Sequence, residues 1–177
     1  MSFRQRSHAR VLALQALCLF DALGDDFADH LGRFLADPDN YADLAWRRSP
    51  APDVISFARE MALGAWQHRA ASDQLLAQYV AGWSVRRMQP VDRSILRLGL
   101  YELRQCPDRP YQVVINEAIE LARRFGGAES PAFVNGVLDG VRKELAAHAT
   151  AAGAPVGEGP SGGPVSEGRP DGATEER

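Results

Sequence analysis

Apolar residues recur at steps of three and four along most of the first 147 residues, and no segment sustains the alternation of a β-strand. Ala13, Leu14, Leu17 and Phe20 follow this spacing, and so do the residues at 133, 137, 141 and 145. One face of an α-helix repeats every 3.6 residues, whereas one face of a strand repeats every two. The pattern therefore predicts an all-α protein with six to seven helices.

Prolines, glycines and short polar residues place the ends of these helices. Pro90 suits the first turn of a helix, and Asp92 suits the positive end of the same helix dipole. Gly126 suits a carboxy-terminal cap, and Ser130 suits an amino cap. We expect helices over about residues 4–23, 26–36, 53–65, 72–80, 90–106, 110–125 and 130–147. The proline-containing segment before the third helix is either a long loop or a loop with a short turn of helix inside it.

The composition divides the chain into a body, residues 1–148, and a tail, residues 149–177. The whole chain has 177 residues, 45% of them hydrophobic, and a net charge of −3. The tail is rich in Gly and Pro, has no aromatic residue and carries the acidic excess, which leaves the body neutral. So few apolar side chains cannot offset the entropy of ordering. We therefore expect a folded body followed by a disordered acidic tail.

The body has a basic amino-terminal end. The first twenty residues contain Arg4, Arg6, His8 and Arg10 and no acidic residue. Arg6 and Arg10 are one helical turn apart, so two exposed guanidinium groups could reach neighbouring phosphates of one strand. Two interpretations stay open from the residues alone, namely a contact with a polyanion and a solvated helix end.

The sequence offers no support for catalysis. The four histidines are scattered, and Glu117 and Glu120 have no histidine at a fitting distance, so we interpret this carboxylate pair as a solvated or hydrogen-bonding face. Cys18 and Cys106 form neither a disulfide scaffold nor a metal motif. No apolar run has the length of a membrane span. We expect a reduced cytoplasmic protein that is not an enzyme, with no cofactor, no metal and no membrane contact.

Gly136 and Gly140 lie four residues apart inside the last predicted helix. Each costs about 1 kcal/mol of helix propensity relative to alanine. Such a cost indicates a helix face that another backbone approaches closely. The neighbour would be either another helix of the core or a bound macromolecule.

Four stretches of the sequence together resemble the NusB (N-utilisation substance B) family. They are RSHARVLALQAL at residues 6–17, RSILRLGLYELR at 93–104, PYQVVINEAIELARRFGG at 110–127 and SPAFVNGVLDGV at 130–141. The resemblance extends over residues 4 to about 145. It implies two small helical bundles packed together.

The resemblance also implies a function in transcription antitermination. A protein of this family would bind the single-stranded boxA segment of nascent ribosomal RNA together with NusE, a small-subunit ribosomal protein. The complex would join other Nus factors on RNA polymerase, and no cofactor is implied. The sequence is compatible with a monomer and with a homodimer.

The resemblance assigns RNA-binding positions to Arg4, Arg6, His8, Arg10, Glu129 and Phe133. Ser7 and His8 stand where family members often have further arginines, so the basic patch is thinner here. Phe133 would stack on an unpaired base, or else it is a core residue of the 133/137/141 stripe. Asp92 matches an acidic position that faces NusE, although its role could equally be to stabilise the helix dipole.

Two other functions compete with this one. A related helical domain is fused to RNA cytosine methyltransferases, but here only the tail follows residue 148, and it offers no catalytic domain. The second alternative is a NusB-like protein-interaction or dimerisation module with weak RNA binding, which the thinner basic patch would suit.

Overall fold

The computed structural model describes residues 1–42, 49–80 and 84–152, and these form eight α-helices without a β-strand. Two short 3₁₀ helices, Gly24–Asp29 and Val85–Arg87, join them. The all-α prediction is confirmed, and the predicted set needs one addition, a helix of four residues within the proline-containing loop. The helices are α1 Phe3–Leu23, α2 Leu31–Ala36, α3 Asp39–Ala42, α4 Pro52–Gln67, α5 Arg69–Tyr79, α6 Pro90–Gln105, α7 Tyr111–Phe125 and α8 Ser130–Ala152.

The start of α1 is closed by a capping box. The Ser2 hydroxyl accepts a hydrogen bond from the Gln5 backbone N–H at 3.3 Å, and the Gln5 side chain accepts one from the Ser2 N–H at 2.6 Å. Two amide donors that have no partner within the helix are satisfied in this way. The basic amino-terminal residues therefore lie on regular helix from Phe3 onward.

Gly126 ends α7 as predicted, but for a different reason from the usual one. Its N–H donates to the Ala122 carbonyl at 2.9 Å, while its φ of −92° lies outside the left-handed region that favours glycine. A Cβ on Gly126 would lie 2.6 Å from the Cβ of Ser130. Glycine is required here because the first turn of α8 approaches so closely.

One continuous core joins two groups of helices. Helix α1 packs most extensively against α4, and α7 packs against α8. Helix α6 contacts all four of them and is buried along most of its length. The predicted apolar stripe of α1 is confirmed, since Ala13, Leu14, Leu17 and Phe20 are all buried. Burying one such leucine or phenylalanine contributes about 1.5–3 kcal/mol.

Arginines of α6 connect this helix to α1, α5 and the second 3₁₀ helix. Arg93 donates to the backbone carbonyls of Val85, Arg86 and Met88 at 3.0–3.1 Å, which fixes the second 3₁₀ helix against α6. Arg97 donates to Asp21 on α1 at 2.7 Å and, through two nitrogens, to Asp73 on α5 at 2.7 and 2.8 Å. Asp21 also accepts from Arg93. This network determines where α1 and α5 lie relative to α6.

The two glycines of α8 have different surroundings. A Cβ on Gly140 would lie 2.5 Å from the Cε1 atom of Tyr79 on α5, so the close neighbour comes from another helix of the core but is a side chain rather than the predicted backbone. The Tyr79 hydroxyl donates to Glu144 at 2.6 Å, which raises the pKa of Tyr79 to about 12. Gly136 is exposed, and an added Cβ would contact nothing within 4 Å. The explanation by a neighbouring helix therefore holds for Gly140 alone.

Helix α8 continues to Ala152, which is further than predicted. The sequence AAHATAA at 146–152 is rich in alanine, the residue with the highest helix propensity, and the first glycine follows at position 153. Residues 149–152, which we expected to begin the tail, are helical. The remainder of the predicted tail, 153–177, lies outside the described residues.

Candidate nucleic-acid interface

Arg4 and Arg6 lie on the first two turns of α1, and both side chains are exposed. The capping box holds the backbone beneath them in helical geometry. Guanidinium groups in this position can donate bidentate hydrogen bonds to phosphate oxygens. The structure therefore leaves these two predicted residues available to a polyanion.

The prediction that the Arg10 side chain is exposed is wrong. Only 2% of it is exposed, and it donates to the carboxylate of Glu102 on α6 at 2.8 and 2.6 Å. A second carboxylate, Glu117 on α7, lies 3.6 Å from its Nη1 atom. Burial alone would lower the pKa of Arg10, but the hydrogen bond and charge of Glu102 outweigh it and the pKa is raised. Arg10 is a structural cation, and no phosphate can reach it.

A groove runs between α1 and α7 beside the basic end. Its volume is about 440 Å³, and buried Val11 and Leu121 form part of its lining. The remaining residues that line it are Phe3, Ser7 and His8 from α1 and Asn116, Glu117, Glu120, Arg123 and Arg124 from α7. The groove therefore has an apolar floor and walls of polar and charged side chains.

A hydrogen bond across the groove joins its two walls. The Ser7 hydroxyl donates to the Glu117 carboxylate at 2.8 Å, and Glu117 also faces the buried Arg10. Glu102 completes the cluster because it accepts from Arg109 at 2.9 Å as well as from Arg10. We interpreted Glu117 from the sequence as a surface or hydrogen-bonding residue, and the second of these roles is correct.

The electrostatics of the groove are governed by arginines. Burial lowers the pKa of His8, and the neighbouring charges of Arg4 and Arg124 lower it further. The shift favours the neutral form of His8, so its ring contributes hydrogen bonding rather than charge to the patch. Glu120 forms an ion pair with Arg123.

Phe3 is the residue of this region that sequence reasoning missed. Its side chain is 64% exposed although it is aromatic, and it lines the groove. The available signal was its spacing, because Phe3, Ser7 and the buried Val11 follow one another at four-residue steps on α1. Arg123 and Arg124 also line the groove, and the sequence analysis did not identify them as binding residues.

Glu129 and Phe133 lie where α8 begins and do not line the groove. The exposed Glu129 accepts the Phe133 N–H through its backbone carbonyl at 3.1 Å. The Phe133 ring is partly buried and packs against the core. It therefore fits neither interpretation completely, since part of the ring belongs to the core and part stays accessible.

Asp92 lies in the first turn of α6, as predicted. Its Oδ1 atom is buried and accepts no hydrogen bond from any of the described residues, although the side chain as a whole is only partly buried. A carboxylate in this position stabilises the positive end of the helix dipole. The geometry is also compatible with contact to a basic group of another protein.

Across residues 1–42, 49–80 and 84–152, no three His, Cys, Asp or Glu side chains come together in a way that could hold a metal ion. Within the same part of the chain, no helix is both long and apolar enough to cross a membrane.

Taken together, the helical fold and the groove define an all-α protein with exposed arginines and one exposed aromatic side chain at the start of α1, groups that suit a nucleic-acid surface. The chain belongs to the NusB family, whose family model matches residues 7–143. The resemblance that the sequence motifs indicated is thereby confirmed.

Relatives and solved structures support this membership. A protein of Symbiobacterium thermophilum described as transcription antitermination protein NusB is 43% identical over 145 residues, which are 77% of this chain and 88% of that protein. The structure of T. maritima NusB is 32% identical with a TM-score of 0.61, covering 78% of this chain and 91% of that one. A crystal structure of antitermination factors NusB and NusE in complex with dsRNA has a TM-score of 0.64 at 23% identity and supports the fold alone. It covers 81% of this chain and 99% of that chain.

Proposed function

We propose that this protein is a transcription antitermination factor that binds the boxA segment of nascent ribosomal RNA together with NusE and so joins other Nus factors on RNA polymerase. Relatives at 43% identity that match most of this chain are described as transcription antitermination protein NusB. NusB was crystallised with NusE and dsRNA in a structure of the same fold. This function requires no catalysis and no cofactor, and it places the protein in the cytoplasm.

The observation that carries the proposal is the set of exposed arginines on and beside the groove at the start of α1, whose lining also contains Glu117 and Glu120. Arg4 and Arg6 are exposed on α1, and Arg123 and Arg124 are exposed on the facing wall formed by α7. Single-stranded nucleic acid is bound by basic grooves that follow the backbone, together with aromatic side chains on which bases stack. The groove between α1 and α7 has both components.

Each of the predicted RNA-binding residues has a defined place in this proposal. Arg4 and Arg6 contact phosphates, and His8 contributes a neutral ring to the groove wall. Phe133 and Glu129, at the start of α8, extend the surface beyond the end of α7. Arg10 is removed from the set because it is buried against Glu102.

Binding of labelled boxA RNA and of a scrambled RNA, each with and without NusE, tests the proposal by fluorescence anisotropy. We expect preferential binding of boxA and tighter binding when NusE is present. A matched control compares Arg4→Ala/Arg6→Ala with Arg33→Ala/Arg104→Ala, which removes the same charge from exposed sites on α2 and α6. Binding of NusE without any RNA affinity would support the interaction-module alternative.

A further inference from the structure

Phe3 presents an aromatic face to solvent at the first residue of α1. It is 64% exposed, the largest fraction among the exposed large hydrophobic side chains of the described residues. Scattered exposed apolar residues are common, but this one lines a groove rather than a convex surface. Its position therefore has to be considered together with the groups that surround it.

The wall of the groove that α7 forms carries two polar side chains spaced by one helical turn. Asn116 and Glu120 are four residues apart on α7, so they lie on the same face, and both are exposed within the groove. An asparagine amide provides two donors and an acceptor, and a carboxylate only accepts. Glu120 already receives Arg123, which leaves Asn116 as the more versatile group.

We propose that this groove is a pocket for one unpaired nucleobase of the bound RNA strand, with Phe3 as the stacking face and Asn116 as the group that reads the base edge. The inference rests on the proposed function, because it supposes that RNA is the ligand. It adds the site at which sequence, rather than charge alone, is recognised.

The combination of groups fits a nucleotide better than a peptide side chain. A nucleobase has two flat apolar faces and a polar edge, and it is attached to an anionic backbone. The groove correspondingly has an aromatic ring, an apolar floor formed by Val11 and Leu121, and a side-chain amide. Arginines at 4, 123 and 124 surround these groups and suit the flanking phosphates.

The pocket also exists before any ligand binds. The Ser7 hydroxyl donates to Glu117 at 2.8 Å across the groove, and Glu117 faces the buried Arg10. The distance between α1 and α7 is therefore determined by buried contacts. A base that enters does not have to separate or close the two helices.

Substitution of Phe3 tests the stacking role, with Leu23→Ala as the matched control. Leu23 is an exposed apolar residue, 57% exposed, at the other end of the same helix. For boxA RNA in the presence of NusE, we expect Phe3→Ala to weaken binding by roughly 5- to 150-fold, the range of a lost base–aromatic stack. Phe3→Tyr should restore binding, and Leu23→Ala should leave it unchanged.

The salt dependence separates stacking from phosphate contact. Because Phe3 neutralises no phosphate, the slope of log affinity against log salt should be the same in Phe3→Ala as in the parent. Asn116→Ala should instead reduce the difference in affinity between boxA and RNAs substituted at single positions. Circular dichroism and the thermal midpoint confirm that each variant is folded.

Several outcomes would overturn the proposal. If Phe3→Ala binds RNA as well as Leu23→Ala does while the parent binds normally, there is no stacking pocket and the RNA-binding function still stands. If Phe3→Ala loses NusE but retains RNA, the groove accepts a protein side chain. If the parent binds no RNA with or without NusE, the pocket and the proposed function fail together.

Discussion

Arg10 donates two hydrogen bonds to Glu102, at 2.8 and 2.6 Å, in a position where each side chain is only 2% exposed. The pair connects α1 to α6, and Glu117 brings α7 to the same guanidinium group. Arg10 is thus a buried residue of the core, although the sequence places it in a run of basic residues. Its neighbours Arg4 and Arg6 are exposed and remain available to a ligand.

Replacing Arg10 by alanine is expected to destabilise the fold. The change leaves the buried Glu102 carboxylate with Arg109 alone, and breaking one partner from a buried ion pair costs about 3–5 kcal/mol. Arg6→Ala is the matched control, since an exposed arginine on the same helix should change the free energy of unfolding by no more than about 0.5 kcal/mol. Urea denaturation of both variants measures the difference, and equal midpoints would contradict the structural role of Arg10.

The stability of the protein is expected to fall in acid partly through Asp21. Burial alone would raise the pKa of this carboxyl, but hydrogen bonds from Arg93 and Arg97 outweigh burial, and the pKa lies below its ordinary value. The stabilisation is therefore complete above the unfolded-state pKa of about 3.9 and disappears as the pH falls through the lower folded-state pKa. Asp21→Asn should flatten the dependence of unfolding free energy on pH below about pH 5.

Asp139 supplies the control for this measurement. Hydrogen bonds from Lys143 and Arg142 lower the pKa of its carboxyl as well, but the group is at the surface. Solvent screens such pairs, so Asp139→Asn should leave the acid limb of the stability profile close to that of the parent. A profile for Asp21→Asn that coincides with the parent would exclude the Arg93–Asp21–Arg97 network as a source of acid sensitivity.

The double variant Arg4→Ala/Arg6→Ala is expected to weaken RNA binding and to reduce its salt dependence. Each phosphate neutralised on a single strand contributes a slope of about −0.7 in log affinity against log salt. If each arginine holds one phosphate, the slope should become shallower by about 1.4. Preference for boxA over a scrambled RNA should change little, because phosphate contacts carry little sequence information. An unchanged slope in a folded variant would place the RNA on another surface.

The two glycines of α8 are expected to respond oppositely to alanine. Gly136→Ala should stabilise the protein by about 1 kcal/mol, since alanine is the better helix former and the new methyl group enters open space. Gly140→Ala should destabilise it by about 1–3 kcal/mol, because the methyl group would displace the Tyr79 ring that is hydrogen-bonded to Glu144. Thermal unfolding of the two variants compares the effects directly. A stabilising Gly140→Ala would show that the ring moves away at little cost.

Asp92→Asn is expected to affect the protein partner more than the fold. Loss of a charge from the first turn of α6 should cost about 0.3–1 kcal/mol of stability. If the carboxylate also pairs with a basic group of NusE, the affinity for NusE falls clearly while RNA binding by the isolated protein hardly changes. Calorimetric titration with NusE measures this, and an unchanged affinity would leave the helix dipole as the only role of Asp92.

The elements of the fold were predictable because their signals are local. The apolar stripe of α1 and Pro90 in the first turn of α6 follow from spacing and residue type within one helix. Gly126 marks the end of α7 in the sequence, although the close approach of α8 that requires this glycine is visible only in the structure. The helix predicted over about residues 26–36 included most of the 3₁₀ helix Gly24–Asp29, because α-helices and 3₁₀ helices bury residues at similar steps. The predicted α8 was too short, because its last turns are held helical by the high helix propensity of alanine and contain no apolar stripe that the spacing could reveal.

The candidate interface was only partly predictable because it depends on contacts between helices. Arg6 and Arg10 lie one helical turn apart in the same basic run. Arg10 is nevertheless buried, where it donates to Glu102, a residue distant in sequence. Nothing within α1 distinguishes the two. For the same reason Phe3 and Asn116 could not be placed in one groove from the sequence, since their proximity arises from the packing of α1 and α7 against α6.

The hydrogen bond between Ser7 and Glu117 has a consequence for binding kinetics. It holds the two walls of the groove at one spacing through contacts that continue into the core. A strand that meets a preformed groove needs no slow rearrangement, so its association rate depends on diffusion and on attraction by the surrounding arginines. Variants of the groove that retain those arginines should therefore differ from the parent mainly in how long the RNA stays bound.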